Sequence, residues 1–186
     1  VKFVVLIGPQ AVGKMTVGQE LEKLSEFKLF HNHQTVDLVS QYFSFSTPEG
    51  QKLVEDVRLA FFNAFAASDA PGFIFTLMRD FEDPADTQFL DHVTGLFEAQ
   101  GADVYWIELE TNIETRLVRN RSENRLKNKP SKRNVEKSEK HLLRCHDQFR
   151  LNSYDGEIKR ENYLKIKNSK MSAAAVAAQI QNFISA

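Results

Sequence analysis

Two hydrophobic periods run along the chain. Lys2 to Ile7 is a short apolar run stopped by Gly8-Pro9, which predicts a strand buried on both faces. Lys14 to Ser25 carries Val17, Leu21 and Leu24 at helical spacing, which predicts a helix. Lys28 to His31 predicts a second short strand. Leu53, Val57, Ala60, Phe61, Ala64 and Phe65 share one face of a third, longer segment, which predicts a helix with that face inward. Phe73 to Leu77, after Pro71-Gly72, predicts a strand. Ala85 to Gln100 predicts a helix capped by Gly101. Asp103 to Leu109 contains Val-Tyr-Trp-Ile-Glu-Leu and gives the strongest signal of an inner strand. Ile113 to Arg121 predicts a helix. Ser122 to Arg133 is polar, basic and interrupted by Pro130, the pattern of a loop or flap. Val135 to Phe149 predicts a charged helix and Tyr163 to Lys167 a last strand. Ser172 is placed to cap a final helix whose inner face holds Val176, Ile180, Phe183 and Ile184.

Five short strands alternating with helices predict an α/β fold, a parallel sheet covered on both sides. No internal repeat or linker-like stretch divides residues 1–186, so one domain is expected. Hydrophobic residues make up 42% and charged residues 26%, which excludes a disordered or low-complexity chain. No apolar run approaches the roughly 18 residues of a membrane helix. The N-terminal run ends too early for a signal peptide. The single cysteine, Cys145, has no internal disulfide partner, and a reducing cytoplasm is the expected location.

The net charge is −1, so no global field draws the chain to nucleic acid or to a membrane. Its distribution is uneven. From Arg116 to Arg144 there are eleven Lys/Arg and three Asp/Glu, a balance of 11 − 3 = +8, which leaves −1 − 8 = −9 for the rest. A basic segment in a mildly acidic protein predicts a local anionic ligand. It lacks the interleaved aromatics of a nucleic-acid surface, so nucleic acid is not the expected partner.

Gly8-Pro9-Gln10-Ala11-Val12-Gly13-Lys14-Met15-Thr16 follows a predicted strand and opens a predicted helix. Gly8 and Gly13 allow backbone angles that a Cβ would block. Backbone N–H groups at the helix start then surround a phosphate, and Lys14 adds a full charge for the outer phosphates. The complete motif has Ser or Thr directly after the lysine, where this chain has Met15.

Gly-Pro-x-x-x-Gly-Lys-x-Thr resembles the phosphate loop of adenylate kinases and related nucleoside monophosphate kinases. The order of elements is similar to that of shikimate kinase, gluconate kinase and chloramphenicol phosphotransferase. This resemblance covers nearly the whole chain in layout and the phosphate loop in motif. It implies a P-loop NTPase fold with a five-stranded parallel sheet, a substrate-binding segment over residues 33–70 and a basic lid over 120–135. It implies ATP and Mg²⁺ as cofactors and a small-molecule phosphoryl acceptor. Gly8, Ala11, Val12, Gly13, Lys14, Met15 and Thr16 would then hold the donor phosphates, with Arg119 beside them. Thr16 would stand near the metal, since Met15 has no oxygen for Mg²⁺.

Strand two ends Leu29-Phe30-His31-Asn32-His33, where shikimate kinase-like enzymes carry Asp-x-Asp. Residues two apart on an extended chain point the same way, so both imidazoles are expected to face the phosphate site. His33 would accept a proton from the acceptor hydroxyl or hydrogen-bond the acceptor, and His31 would bind substrate. Burial as structural residues and a two-histidine zinc site are the competing readings. Asp37, one helical turn after His33, is a rival base. In the resembling kinases, arginines at the places of Arg58 and Arg79 bind the acceptor's anionic group, which suits bidentate guanidinium chemistry. Asp80 is the acid placed to organise Mg²⁺ through water. Arg121 and Arg125 stand four apart, on one face if helical, and match the arginines of a closing lid. Phe43, Phe45 and Phe81 would line an apolar acceptor pocket. Cys145-His146-Asp147 is no triad, because consecutive helical residues diverge by about 100°. A polynucleotide 5′-end kinase and a nucleotide-binding regulator without transfer activity are the alternative functions.

Overall fold

The computed structural model describes residues 1–186. Its strands are β1 (Lys2–Ile7), β2 (Lys28–His31), β3 (Gly72–Leu77), β4 (Asp103–Glu110) and β5 (Tyr163–Lys167). Its helices are α1 (Lys14–Leu24), α2 (His33–Val39), α3 (Pro48–Ala66), α4 (Pro84–Glu98), α5 (Ile113–Asn120), α6 (Glu123–Asn128), α7 (Val135–Gln148) and α8 (Ala173–Ser185). All strand pairs are parallel, in the order β2-β3-β1-β4-β5.

Strand alternation divides the core into two layers. Phe3, Val5 and Ile7 of β1 join Phe62, Phe73, Phe75 and Phe97 on one side of the sheet. Val4 and Leu6 join Val17, Leu21, Val176 and Ile180 on the other. Burial of both faces explains why β1 reads as an unbroken apolar run rather than an alternating one. The first layer is mostly aromatic. Phe3 stacks on Phe97 with centroids 3.9 Å apart, and Phe62 meets Phe75 edge-on at 4.9 Å. Such pairs contribute about 0.5–1.5 kcal/mol each beyond the area they bury.

Three local expectations are corrected. The inward stripe of α3 is Val54, Phe62 and Ala66, while Leu53 and Phe61 are exposed. The stripe repeats every four residues and passes through half-buried Arg58, whose Nε donates to Thr35 Oγ1 at 3.1 Å. Counting apolar residues alone passed over that arginine and rotated the face. The segment from Ser122 to Arg133 is helical rather than a loop: it holds α6 and a 3-10 turn, Pro130–Lys132. Pro130 opens that turn, where a missing N–H costs nothing. The chain also bends into α2 at once after β2, because Asn32 is already helical (φ −47°, ψ −35°).

Glu108 of β4 is fully buried. Asn152 Nδ2, Ser153 N, Ser153 Oγ and Tyr163 Oη donate to it at 2.6–2.9 Å. Burial pushes its carboxyl up, but these bonds outweigh that and hold it below the usual range. The network ties Asn152 and Ser153 to β4 and to Tyr163 of β5. No helix is long and apolar enough to cross a membrane.

Candidate functional site

The loop between β1 and α1 forms one wall of a cleft of about 300 Å³. Gly8 sits at φ 139° and Gly13 at φ 113°, angles that side chains rarely adopt. A Cβ on Gly8 would also collide with the Leu109 carbonyl oxygen. Ala11 takes a left-handed φ of 58° without being glycine, a strained position of the kind that clusters at ligand sites. Gly13, Lys14, Met15 and Thr16 line the cleft, so the unbonded first-turn N–H groups of α1 lie at it.

Two arginines of α5 hold the loop. Arg116 is buried and donates through Nε to the Gln10 carbonyl at 2.8 Å. Arg119 donates to the Val12 carbonyl at 2.8 Å and to the Asn168 carbonyl at 2.8 Å. Asn168, also buried, donates from Nδ2 to the same Val12 oxygen at 2.9 Å. Arg116 and Asn168 escaped the sequence reading. The charge excess after residue 116 was a signal for the first, and nothing local marked the second.

Lys14 folds onto its own loop, donating to the Gly8 and Pro9 carbonyls at 2.5 and 2.7 Å. Burial, then Lys129, Arg125 and Arg116, pull its ammonium well below the ordinary lysine range. A polyanion would reverse that effect.

Asn124 and Arg125 of helix α6, with Ser122 and Lys129 flanking it, form another wall of the cleft. Asn124 donates to Thr16 Oγ1 at 3.2 Å and to Gln19 Oε1 at 2.8 Å, fastening α6 to α1. Arg125 lines the cleft, with Nε on Asn120 Oδ1 at 3.1 Å, and burial lowers its guanidinium to about 10. Arg121 does not join it. It projects outward and pairs with Glu139 of α7 at 2.7 Å. The shared-face expectation failed because α5 ends at Asn120 and α6 starts at Glu123, so no continuous helix links the two arginines. Lys129 takes the expected second place. It is only 8% exposed, lines the cleft, and is pushed down to about 7 by burial, then by Arg125 and Lys132.

The two histidines diverge. His33, first residue of α2, lines the cleft, whereas His31 closes β2 beneath it and does not. The turn at Asn32 removes the extended geometry that would have aligned them. Nδ1 of each is buried and unpartnered, as is Asn32 Oδ1. Burial, then Lys129, lowers His31 to about 4. His33 is pushed lower still by burial and by Lys129, Lys132 and Arg125. Both imidazoles are therefore neutral at physiological pH.

The other expected residues lie off the cleft. Asp37 of α2 faces Lys129 and Lys132 at longer range. Arg58 is committed to Thr35. Arg79 lies under β4, donating to Thr87 Oγ1 at 3.0 Å and stacking over Phe81 at 4.3 Å. Asp80 caps the turn after β3, its Oδ1 accepting the Glu82 N–H at 3.0 Å. Phe81 is thus occupied by Arg79, and Phe43 and Phe45 are exposed beside α2 and α3.

No carboxylate lines the cleft. Met15 is buried with a thioether where the motif has a hydroxyl. The Thr16 hydroxyl accepts from Asn124, and the Thr76 hydroxyl accepts from the Asn32 N–H at 3.2 Å. This donor set fits the phosphates of ATP; to a magnesium ion it offers one free amide oxygen, Asn32 Oδ1, and no carboxylate, too few oxygens to fit an ion held by the protein itself.

No family model and no curated protein sequence matches the chain. Solved structures do. Shikimate kinase from Acinetobacter baumannii, in complex with shikimate, aligns over 99% of this chain and 93% of its own, with TM-score 0.57 and 20% identity. The Mycobacterium tuberculosis APS kinase, in complex with AMPPNP and APS, aligns over 100% and 98%, with TM-score 0.56 and 14% identity. The Deinococcus radiodurans tunicamycin resistance protein aligns over 98% and 95%, with TM-score 0.54 and 18% identity. With its phosphate loop, all-parallel sheet and strand order, the chain has the fold of the P-loop small-molecule kinases.

Proposed function

We propose that the protein is an ATP-dependent phosphotransferase that moves the γ-phosphoryl group to a hydroxyl of a small molecule. One observation carries this reading. The loop from Gly8 to Thr16 opens into a cleft where Lys14, Arg125 and Lys129 converge, and His33 and Asn32 stand on its wall. The first group suits a triphosphate, and the second suits the hydroxyl that attacks it. The neighbours solved with shikimate and with AMPPNP and APS support a site that takes a nucleotide and a small molecule.

In the transfer, the acceptor oxygen forms a bond to the γ-phosphorus as the bond from that phosphorus to the bridging oxygen breaks. ADP leaves with the bridging electron pair. The hydroxyl proton passes to solvent, and His33, kept neutral by burial and the facing cations, hydrogen-bonds the acceptor. Lys14, Arg125 and Lys129 meet the charge on the transferring group, which is where such transition states gain most of their stabilisation. Closure of α6 over α1 excludes water.

The absence of a carboxylate base from the cleft favours one second reading, a nucleotide-binding regulator without transfer. Incubation with ATP and a panel of small hydroxy compounds, followed for ADP and new phosphate esters, separates the two. The kinase releases ADP only with its acceptor, and Lys14→Ala abolishes that release. ATP binding with no turnover on any compound would establish the regulator instead. Native protein whose melting temperature is unmoved by millimolar ATP would end both readings.

A further inference from the structure

The cleft holds more positive charge than its own residues balance. Lys129 is nearly buried, yet its Nζ has no hydrogen-bond acceptor and no ion-pair partner within 4.0 Å. The acid that offsets it, Asp37, lies off the cleft. Arg125 spends only Nε, on Asn120, and leaves both terminal amino groups free. Lys14 and Arg119 add two further charges along the loop, and His33 adds none because it is neutral. Lys129 Nζ and the free Arg125 nitrogens face the cleft rather than the core, and like charges gathered this closely disfavour one another until an anion lies between them.

The oxygens of the site complete the pattern. A divalent cation entering here meets lysines and arginines, no carboxylate, one unpartnered amide oxygen, Asn32 Oδ1, and two threonine hydroxyls that each already accept a hydrogen bond. The triphosphate of ATP carries roughly four negative charges at neutral pH, enough to hold Lys14 and Lys129 protonated beside Arg119 and Arg125. With one divalent ion attached, the same ligand leaves about two of these cations uncompensated.

We propose that this cleft binds the donor nucleotide as the metal-free polyanion, with Lys129 and Arg125 of the lid supplying the positive charge that a protein-held divalent ion would otherwise contribute. The proposal rests on the nucleotide-binding reading above and concerns the form in which the nucleotide is held. Lys129 thereby becomes a binding residue that neither the phosphate-loop motif nor the expected lid arginines include.

Calorimetric titration of the intact protein with ATP in EDTA, and in parallel with ATP in excess MgCl₂, tests it without any turnover. The expected dissociation constant in EDTA is equal to or below that in MgCl₂. Lys129→Met is expected to weaken binding in EDTA by about tenfold more than in MgCl₂, the size of one charge-assisted contact. Binding confined to the MgCl₂ arm, or tighter there by more than about threefold (roughly 0.7 kcal/mol), overturns the proposal and leaves the nucleotide site standing. Equal weakening of both arms by Lys129→Met removes Lys129 from the role and overturns it as well. Absence of binding in both arms removes the nucleotide reading itself, and this proposal with it.

Discussion

Asn168 Nδ2 lies 2.9 Å from the carbonyl oxygen of Val12, joining the loop after β5 to the phosphate loop across 156 positions of chain. Arg119 donates to the same oxygen, so both lone pairs of that carbonyl are used inside the protein. Asn168→Ala removes one donor and also the oxygen that receives Arg119 Nη1 at 3.2 Å. The expected loss is about 1–3 kcal/mol of stability, read by urea unfolding, with a weaker ATP-induced rise in melting temperature. An unchanged unfolding midpoint would mean that the tie contributes nothing.

Arg121 and Arg125 are expected to behave oppositely. Arg125→Ala removes a cation from the cleft and is expected to lower turnover by at least about 10³. Arg121→Ala breaks an ion pair to Glu139 in which Arg121 is 63% exposed, so turnover stays near native and stability falls by no more than about 1 kcal/mol. Steady-state kinetics on the identified acceptor, with melting curves for both variants, decide it. A large rate loss in Arg121→Ala would show that the lid rearranges to bring that side chain inward.

The strands were legible in the sequence because short apolar runs between turn formers have few other solutions. β1, β2 and β5 fall on the expected residues. The phosphate loop was legible because glycine and lysine spacing encodes its geometry directly. What was not legible depends on tertiary contact. Arg58 occupies the inner stripe of α3 because Thr35 of another helix meets it. Glu108 lies inside an apolar strand because four donors reach it from the segment beyond α7 and from β5. Lys129 looked like one more solvated charge in a basic run. Its place in the cleft follows from α6 and the turn at Pro130, which propensity alone did not reveal.

His31 sets an acid limit on stability. Its folded value of about 4 lies below the ordinary 6.5, so the unfolded chain binds the proton first. The stabilisation is complete above about pH 6.5 and is lost as pH falls toward 4, by on the order of 3 kcal/mol. His31→Gln has no such proton to bind. The gap between native and variant stability is therefore expected to narrow, or reverse, between pH 7 and pH 4 in denaturant titrations. A constant gap across that range would contradict a neutral His31.

Lys129→Met is expected to stabilise the ligand-free protein. Lys129 has a folded value near 7 against an ordinary 10.5, so holding its charge in the cleft opposes folding. That cost is fully present below about pH 7 and fades as pH rises toward 10.5. The variant is expected to gain about 1–3 kcal/mol at pH 6.5, a few degrees in a chain of this size, and little at pH 9.5. Thermal melts at the two pH values check it, and a lower melting temperature for the variant at pH 6.5 would refute it.

Helix α5 grips the phosphate loop at Arg116 and Arg119, and the chain leaves the helix at Arg121 to enter the lid. The break between α5 and α6 therefore lies outside the last residue anchored to the loop. Swinging α6 away severs Asn124 from Thr16 and Gln19, and strains Arg125 against Asn120. It leaves the bonds from α5 to Gln10 and Val12 intact. The contacts that shape the donor cradle are thus separate from those that fasten α6, so losing the second set would leave the first in place.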